Sequence, residues 1–489
     1  MHEPTIFELS SPGRTGVTFP ASDVPSFAAP DAALLRQDLP LPELAEVDVT
    51  RHYTHLSHFN YGVDEGFYPL GSCTMKYNPK IDEETCRLPG FTNIHPLQPV
   101  ETVQGSLALM FEMQEWLKEI SGFAAVTLQP AAGAHGEFTG TLIMRAYHLS
   151  RGDTKRVKML IPDAAHGTNP ASAGMNGLEV VTIPSDSNGN VDLEALAAAC
   201  DETVLGMMLT NPNTLGLFDQ HIEEVIRLVH ACGGLMYGDG ANLNALLGIV
   251  RPGDLGFDLM HFNLHKTFAV PHGGGGPGSG PVGVCDRLVD FLPSPLICRL
   301  EEGNEDTPPL YGYLVPKKTI GRMKAFHGHF GAIVRSFTYI AMHGPDGLKD
   351  ISQYAVLNAN YLMARLKSYY KVPYDRICMH EFVMEGRFEG TDIRALDIAK
   401  RLMDYKFHPP TNYFPLIVHE ALMIEPTETE NKRTLDEFTA ALIAIAGEAR
   451  TNPEIIKTAP HTTLFGRMDE VKAARELVLC CWLPDHFPD

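Results

Sequence analysis

Cationic charge is scarce in this chain: 39 Lys and Arg stand against 60 Asp and Glu, a formal net charge of −21 over 489 residues. Such a surface repels phosphate backbones and anionic headgroups, which excludes generic nucleic-acid or anionic-membrane binding. No apolar run approaches the ~18 uninterrupted residues a membrane helix needs. The opening "MHEPTIFELSSPGRTG" lacks a basic stretch followed by an apolar one, so the expectation is an unexported, cytoplasmic protein. Disulfide and zinc frameworks are missing too. The nine cysteines are scattered (Cys73, Cys86, Cys200, Cys232, Cys285, Cys298, Cys378, and the neighbours Cys480 and Cys481) with no CxxC spacing, which fits reduced thiols. "MHEFVME" and "VHEALMI" each contain His-Glu, but neither has a second histidine four residues on, so a zinc-protease reading fails and no metal site is expected.

What remains is a globular chain with 44% apolar residues, enough for a large core shared by sub-domains. Residues 1–102 are rich in Pro and turn formers, as in "SDVPSFAAPDAALLRQDLPLPEL", and read as an extended arm. From 103 to 320, short apolar runs ("FAAVTLQP", "RVKMLIP", "LEVVTIP", "VLGMMLTNP", "LMYGDG", "LMHFNLHK") alternate with helical patterns such as "HGEFTGTLIMRAYHLS" and "HIEEVIRLVHACG". Buried runs alternating with helices predict an α/β domain around a mostly parallel sheet covered on both faces. "LPSPLICRLEEGNEDTPPLYGYLVPKK" reads as a connector. Residues 321–489 return to a long helix and strand–helix alternation, predicting a smaller C-terminal α+β domain.

Ligands of open α/β sheets collect at the carboxyl ends of strands. There the sequence sets Gly133, Ala134 and His135 at a helix N-terminus suited to phosphate. It sets His166 after the next strand, Thr210 and Asn211 after another, and Asp239 with the small Gly240 and Ala241 after a third. Lys266 follows "LMHFNLH", read as the end of a buried strand, and precedes the glycine run Gly273–Gly276. A lysine there either snorkels to water or is desolvated as a nucleophile toward a carbonyl. A buried strand-end aspartate needs a cation or several donors. Pyridoxal 5'-phosphate meets both needs: a lysine holds its aldehyde, a carboxylate its ring nitrogen, a helix N-terminus its phosphate, and flat or small groups its ring faces. The assignment is Lys266 to the aldehyde, Asp239 to the ring nitrogen, Gly133 and Ala134 to the phosphate, and His166 with Ala241 to the two ring faces.

Several longer stretches go further: "FYPLGSCTMKYNPK", "TLQPAAGAHGE", "HGTNPASA", "DGANLNA", "LHKTFAVPHGGGGPG", "GRMKAFHGHFG", "LNANYL", "CMHEFV" and "EALMIEPTETE". In these, spanning almost the whole chain, the sequence resembles the pyridoxal-phosphate-carrying P-protein family of the glycine cleavage system, and within it the lysine-bearing half. The resemblance implies a fold-type-I, aspartate-aminotransferase-like enzyme with a large mixed-sheet cofactor domain and a small C-terminal domain. It implies decarboxylation of glycine with transfer of the aminomethyl group to the lipoyl arm of H-protein, Lys266, His166 and Asp239 being catalytic. It further implies a homologous first subunit in an α2β2 assembly.

Other residues are open. His265 and His272 flank the lysine and suit phosphate contact, proton transfer or packing. Lys76 and Arg322 suit an anion or an ion pair, and Cys73 a reactive or simply buried thiol. The alternative function is another fold-type-I amino-acid decarboxylase or lyase. That enzyme would keep Lys266 and Asp239 but should lack the matches toward the two ends of the chain.

Overall fold

The computed structural model describes residues 3–36, 39, 41–271 and 278–477. The chain divides into two compact units, Met1–Gly66 with Thr462–Asp489, and Phe67–His461. In the first unit the described residues before the helix Glu46–Ser57 are largely without regular secondary structure. That helix starts where Asp48 accepts the Ala45 N–H at 3.1 Å and meets Arg14 at 2.9 Å. Ahead of it the chain exposes apolar side chains, Phe19 at 85% and Phe27 at 87%.

The second unit is built on a seven-stranded sheet. Its strands are β1 (Ala125–Thr127), β2 (Lys158–Pro162), β3 (Glu179–Ile183), β4 (Val204–Thr210), β5 (Leu235–Gly240), β6 (Leu259–Phe262) and β7 (Val282–Val284). The order is β1-β7-β6-β5-β4-β2-β3. From β6 to β3 all neighbours are parallel, whereas β7 runs antiparallel to both β1 and β6. Every residue of β4 is buried, the pattern of a strand covered on both faces. One face packs on helices Gln104–Ser121 and Ile222–Ala231 through Leu117, Val225 and Met236. The other packs on Gly133–Ser150 through Ile143, Met144 and Tyr237. At Gly140 a Cβ would stand 2.2 Å from the Tyr237 ring, so that helix comes this close only because glycine is there.

Two local expectations change. β6 stops at Phe262, and Lys266 lies on the helical turn Leu264–Thr267 rather than on the strand. Asn263 ends the extended run and its carbonyl accepts the Lys266 and Thr267 N–H groups at 3.0 and 3.1 Å, which starts the turn. The expected connector holds an antiparallel pair, β8 (Leu296–Glu301) with β9 (Leu310–Leu314). It is tied to the helix Gln104–Ser121 by the Gln114 amide donating to the Ile297 carbonyl at 3.0 Å.

Beyond it, the helical stretch Phe330–Leu366 is broken at Gly344, whose φ of 62° precedes Pro345. A three-stranded antiparallel sheet follows, β10 (Phe382–Glu385), β11 (Thr411–Asn412) and β12 (Ala421–Ile424), with β12 central. Helices Ala395–Asp404 and Lys432–Thr451 pack on it around Leu362, Phe382, Leu422 and Phe438. Among the described residues, no helix is long and apolar enough to cross a membrane.

Candidate active site

The parallel register puts three site residues side by side, since Thr210 on β4 pairs with Asp239 on β5, and Asp239 with His261 on β6. The Asp239 side chain is wholly buried. One oxygen accepts the Ala241 N–H at 2.9 Å and lies 3.5 Å from His261 Nε2, and the other lies 2.5 Å from His166 Nε2. Burial alone would raise the Asp239 pKa, but the two histidines and the Ala241 N–H outweigh it and hold the carboxyl well below the usual range. The same pairing raises His166 against its own burial, making an imidazolium–carboxylate pair, whereas burial pushes His261 down to about 4. His166 Nδ1 lies 2.6 Å from the Thr168 hydroxyl, which donates to Glu137 at 2.8 Å. Glu137, pushed up to about 7 by burial and then by Asp239, also accepts from Ser172 at 3.0 Å. The imidazole therefore meets Asp239 through a ring nitrogen, an edge contact.

The helix N-terminus lies beside this group. Ala132 gives it no side-chain cap, and the first helical N–H to reach a carbonyl is that of Gly136, at 2.9 Å from Ala132. The N–H groups of Gly133, Ala134 and His135 thus have no carbonyl within the helix. A Cβ on Gly133 would meet the Asn263 amide oxygen at 2.5 Å, and one on Gly136 the His261 Cβ at 2.6 Å, so this turn is pressed against the end of β6. His135 Nδ1 accepts the Ala131 N–H at 3.1 Å. Its pKa is lowered by burial and by Lys324, whose ammonium is 2.9 Å from His329. His329 and Lys324 are themselves lowered, first by burial. The free N–H groups at this helix N-terminus suit an anion, which would also favour the charged forms of the three buried bases.

Lys266 Nζ donates to the Ser72 carbonyl at 2.8 Å. Its charge acts on His166 and His261. His265 turns its Nδ1 to the Ser279 N–H at 3.2 Å. Ala241 is buried, and the Asn211 amide oxygen accepts the Asp219 N–H at 3.0 Å. Thr210 Oγ1, Asn211 Nδ2, Asn263 Oδ1, Thr267 Oγ1 and Ser279 Oγ are buried without hydrogen-bond partners. His272 and the glycines Gly273–Gly276 lie outside the described residues. Lys76 is buried in an ion pair with Glu428 at 2.7 Å and also donates to Asn244 at 2.7 Å, while Arg322 is exposed and bonds the Ala325 carbonyl at 3.0 Å.

Sequence reasoning missed Glu137, although it closes the quoted "GAHGE". It also missed Ser72, Glu381 and Glu425, which lie behind Lys266. Glu381 accepts the Ser72 N–H at 2.6 Å, and Glu425 accepts from the Thr74 hydroxyl at 2.5 Å. Their only signal was membership of the matching stretches "GSCTMK", "CMHEFV" and "EALMIEP".

Comparison with known proteins agrees with this architecture. Residues 351–461 match the family described as glycine dehydrogenase, C-terminal domain, and 142–275 match aminotransferase class-V. A probable glycine dehydrogenase (decarboxylating) subunit 2 of Listeria welshimeri is 56% identical over 481 residues, covering 97% of each chain. The one of Caldanaerobacter subterraneus is 57% identical over 479 residues, covering 97% of this chain and 98% of that one. A crystal structure of inhibitor-bound glycine decarboxylase (P-protein) of the glycine cleavage system superposes with a TM-score of 0.72 at 19% identity, covering 85% of this chain and 93% of the other. A cysteine desulfurase of Thermococcus onnurineus superposes with a TM-score of 0.57 at 15% identity, covering 78% and 95%. At such identities the two superpositions show the fold, that of the fold-type-I pyridoxal-phosphate enzymes. The chain belongs to the glycine dehydrogenase (decarboxylating) subunit 2 family.

Proposed function

We propose that this chain, as subunit 2 of a glycine dehydrogenase (decarboxylating) of the glycine cleavage system, binds pyridoxal 5'-phosphate at Lys266 and acts on glycine. In the overall reaction the carbon–carbon bond of glycine breaks and carbon dioxide leaves. The aminomethyl carbon bonds one sulfur of the H-protein lipoyl disulfide, and the other sulfur is released as a thiol. The observation that carries this reading is the convergence of a lysine amine, a buried ionised aspartate and an uncapped helix N-terminus on buried polar atoms without partners.

The residues fit the cofactor's chemistry. Lys266 has the amine for its aldehyde, Asp239 the negative charge for its ring nitrogen, and Gly133, Ala134 and His135 the N–H donors for its phosphate, with His265, Thr210 and Asn211 nearby. Bound there, the cofactor supplies an electron sink for the electron pair left by the departing carboxylate. Asp239 now spends one oxygen on His166. A carboxylate oxygen carries two lone pairs, so Asp239 could accept a ring N–H while keeping the His166 contact. His166 and the small Ala241 would lie against the ring, and His166 keeps Asp239 ionised. Glu137, through Thr168, fixes which imidazole nitrogen faces Asp239.

We assign residues 103–320 to the large cofactor domain, 321–489 to the small one and 1–102 to an arm. Subunit 2 calls for a homologous subunit 1, which we infer forms an α2β2 assembly with it. The exposed Phe19 and Phe27 are apolar surface of the kind an interface covers.

Mixing the purified protein with pyridoxal phosphate is expected to produce a visible absorbance band that Lys266→Ala abolishes. With subunit 1 and lipoylated H-protein added, labelled bicarbonate is expected to exchange into glycine but not alanine. Absence of the band, or exchange into alanine alone, overturns the reading.

A further inference from the structure

Behind Lys266 lies a second acid–imidazole group that the reaction above does not use. The side chains of His380, Glu381 and Glu425 are buried to 1% exposure or less, and His380 Nε2 is 4.0 Å from an oxygen of each glutamate. Both His380 nitrogens and one Glu425 oxygen are without hydrogen-bond partners. Glu381 is different, because it is wired to the lysine. Its Oε2 accepts the Ser72 N–H at 2.6 Å and its Oε1 the Asn242 amide at 3.3 Å, while the Ser72 carbonyl accepts the Lys266 ammonium at 2.8 Å. A single residue carries a carboxylate on its N–H and an ammonium on its C=O. Ser72 has a φ of 62°, a left-handed conformation that a non-glycine residue holds only when its surroundings fix it. Here the fixing groups are Glu381 and Lys266, with Gly71 before it accepting from Thr411 at 2.7 Å and Thr74 after it bound to Glu425.

We propose that Glu381 is a positioning residue that also balances the charge of Lys266. It holds Ser72 so that the Ser72 carbonyl receives the ammonium, and it gains a proton as the lysine becomes the neutral amine. An N–H bond of Lys266 breaks, an O–H bond of Glu381 forms, and the net charge of the site is unchanged; reprotonation of the lysine reverses both. The inference rests on the reading of Lys266 as the residue that must present a neutral amine to a carbonyl.

The surroundings single out Glu381. Burial pushes it up to about 7, with the Ser72 N–H and the Lys266 charge pulling the other way. Glu425 is pushed well up by burial and then by Glu381. His380 is pushed down to about 3 by burial, then by Lys266 and Lys76, and stays neutral. Cys73 is pushed up, first by burial. Lys76, the other cation that faces the cluster, is paired with Glu428. Within this cluster Glu381 is the group placed to change charge near neutral pH.

Trace acetylation of the cofactor-free protein with acetic anhydride, read by mass on the Lys266 peptide as a function of pH, tests the inference without using the loaded enzyme. With a shared proton, Lys266 reactivity climbs about tenfold per pH unit until Glu381 ionises and then levels off, because the state with neutral lysine and protonated glutamate becomes a constant fraction. The break is expected near pH 7. In Glu381→Gln the climb should continue through that point, giving roughly tenfold higher reactivity one unit above it. A wild-type profile with no break overturns the proposal, as does a Glu381→Gln profile parallel to wild type, which a merely structural clamp would give. If Glu381→Gln loses its native circular-dichroism spectrum, the wild-type profile still decides. A parallel sample treated with pyridoxal phosphate and cyanoborohydride keeps the two readings apart. No cofactor on Lys266 there counts against the proposed function, whatever the acetylation shows.

Discussion

Two buried groups of the same composition, two carboxyls and one imidazole, flank Lys266 and settle into opposite states. In Glu137–His166–Asp239 the histidine touches a carboxylate at 2.5 Å and gains a proton, and Asp239 stays ionised. In His380–Glu381–Glu425 the histidine stands 4.0 Å from both acids, loses its proton affinity to burial, and the carboxyls rise instead. Contact between the imidazole and a carboxylate, not composition, separates the two groups, since Glu137 in the first is also pushed up to about 7. The first group is built to hold charge and the second to avoid it.

The strongest way to break this contrast is the same near-isosteric exchange in each group. Asp239→Asn removes the anion from a buried pair and leaves His166 without its counter-charge. Breaking such a pair costs about 3 kcal/mol of stability. Loss of the negative charge at the ring nitrogen should lower bicarbonate exchange by roughly 100-fold or more. Denaturant unfolding and the exchange assay measure the two effects, and NMR of the imidazole should show His166 losing its raised pKa. Glu425→Gln, by contrast, takes charge from a carboxyl that burial already pushes well up, keeps an oxygen for the Thr74 hydroxyl, and should change stability by less than about 1 kcal/mol. Equal costs for the two substitutions would erase the distinction drawn here.

How much of this was legible in the sequence divides along the same line. The strand ends carrying Asp239 and Thr210 could be read because a continuous apolar run such as "VLGMMLTNP" becomes a buried parallel strand, and its end is a fixed address in an α/β sheet. The uncapped turn at Gly133 and Ala134 could be read for the same reason. The turn that carries Lys266 was misread as strand because Leu264 prolongs the alternation of "HFNLHK" past Asn263, where the backbone hydrogen bonds change partner. The second group was invisible for a deeper reason. Ser72, Glu381 and Glu425 are separated by 309 residues in one contact alone, and nothing in a period of 2 or 3.6 signals such a meeting. "MHEFV" was tested for a helical zinc pattern and set aside, but a histidine and glutamate just ahead of β10 can still point into a site.

The effect confined to the narrowest conditions concerns acid stability, where the two histidines should part in sign. His380 in the folded state sits at about 3 against an ordinary 6.5, so below the unfolded value the unfolded chain binds the extra proton. Its contribution to stability is therefore complete above about 6.5 and is lost as the pH falls toward 3. His166 is raised, so its contribution is complete below the unfolded value of 6.5 and is lost as the pH rises through its folded value. Replacing His380 by leucine removes a ring whose two nitrogens have no partner and with it the acid-side loss, so Tm should hold better on descent from 6.5. Replacing His166 should flatten the alkaline side while taking the counter-charge from Asp239 and lowering stability throughout. Thermal melts of the two variants across this range check both slopes. If His380→Leu melts with the same acid dependence as wild type, the imidazole behind Lys266 is not held neutral, and the two groups are more alike than their distances indicate.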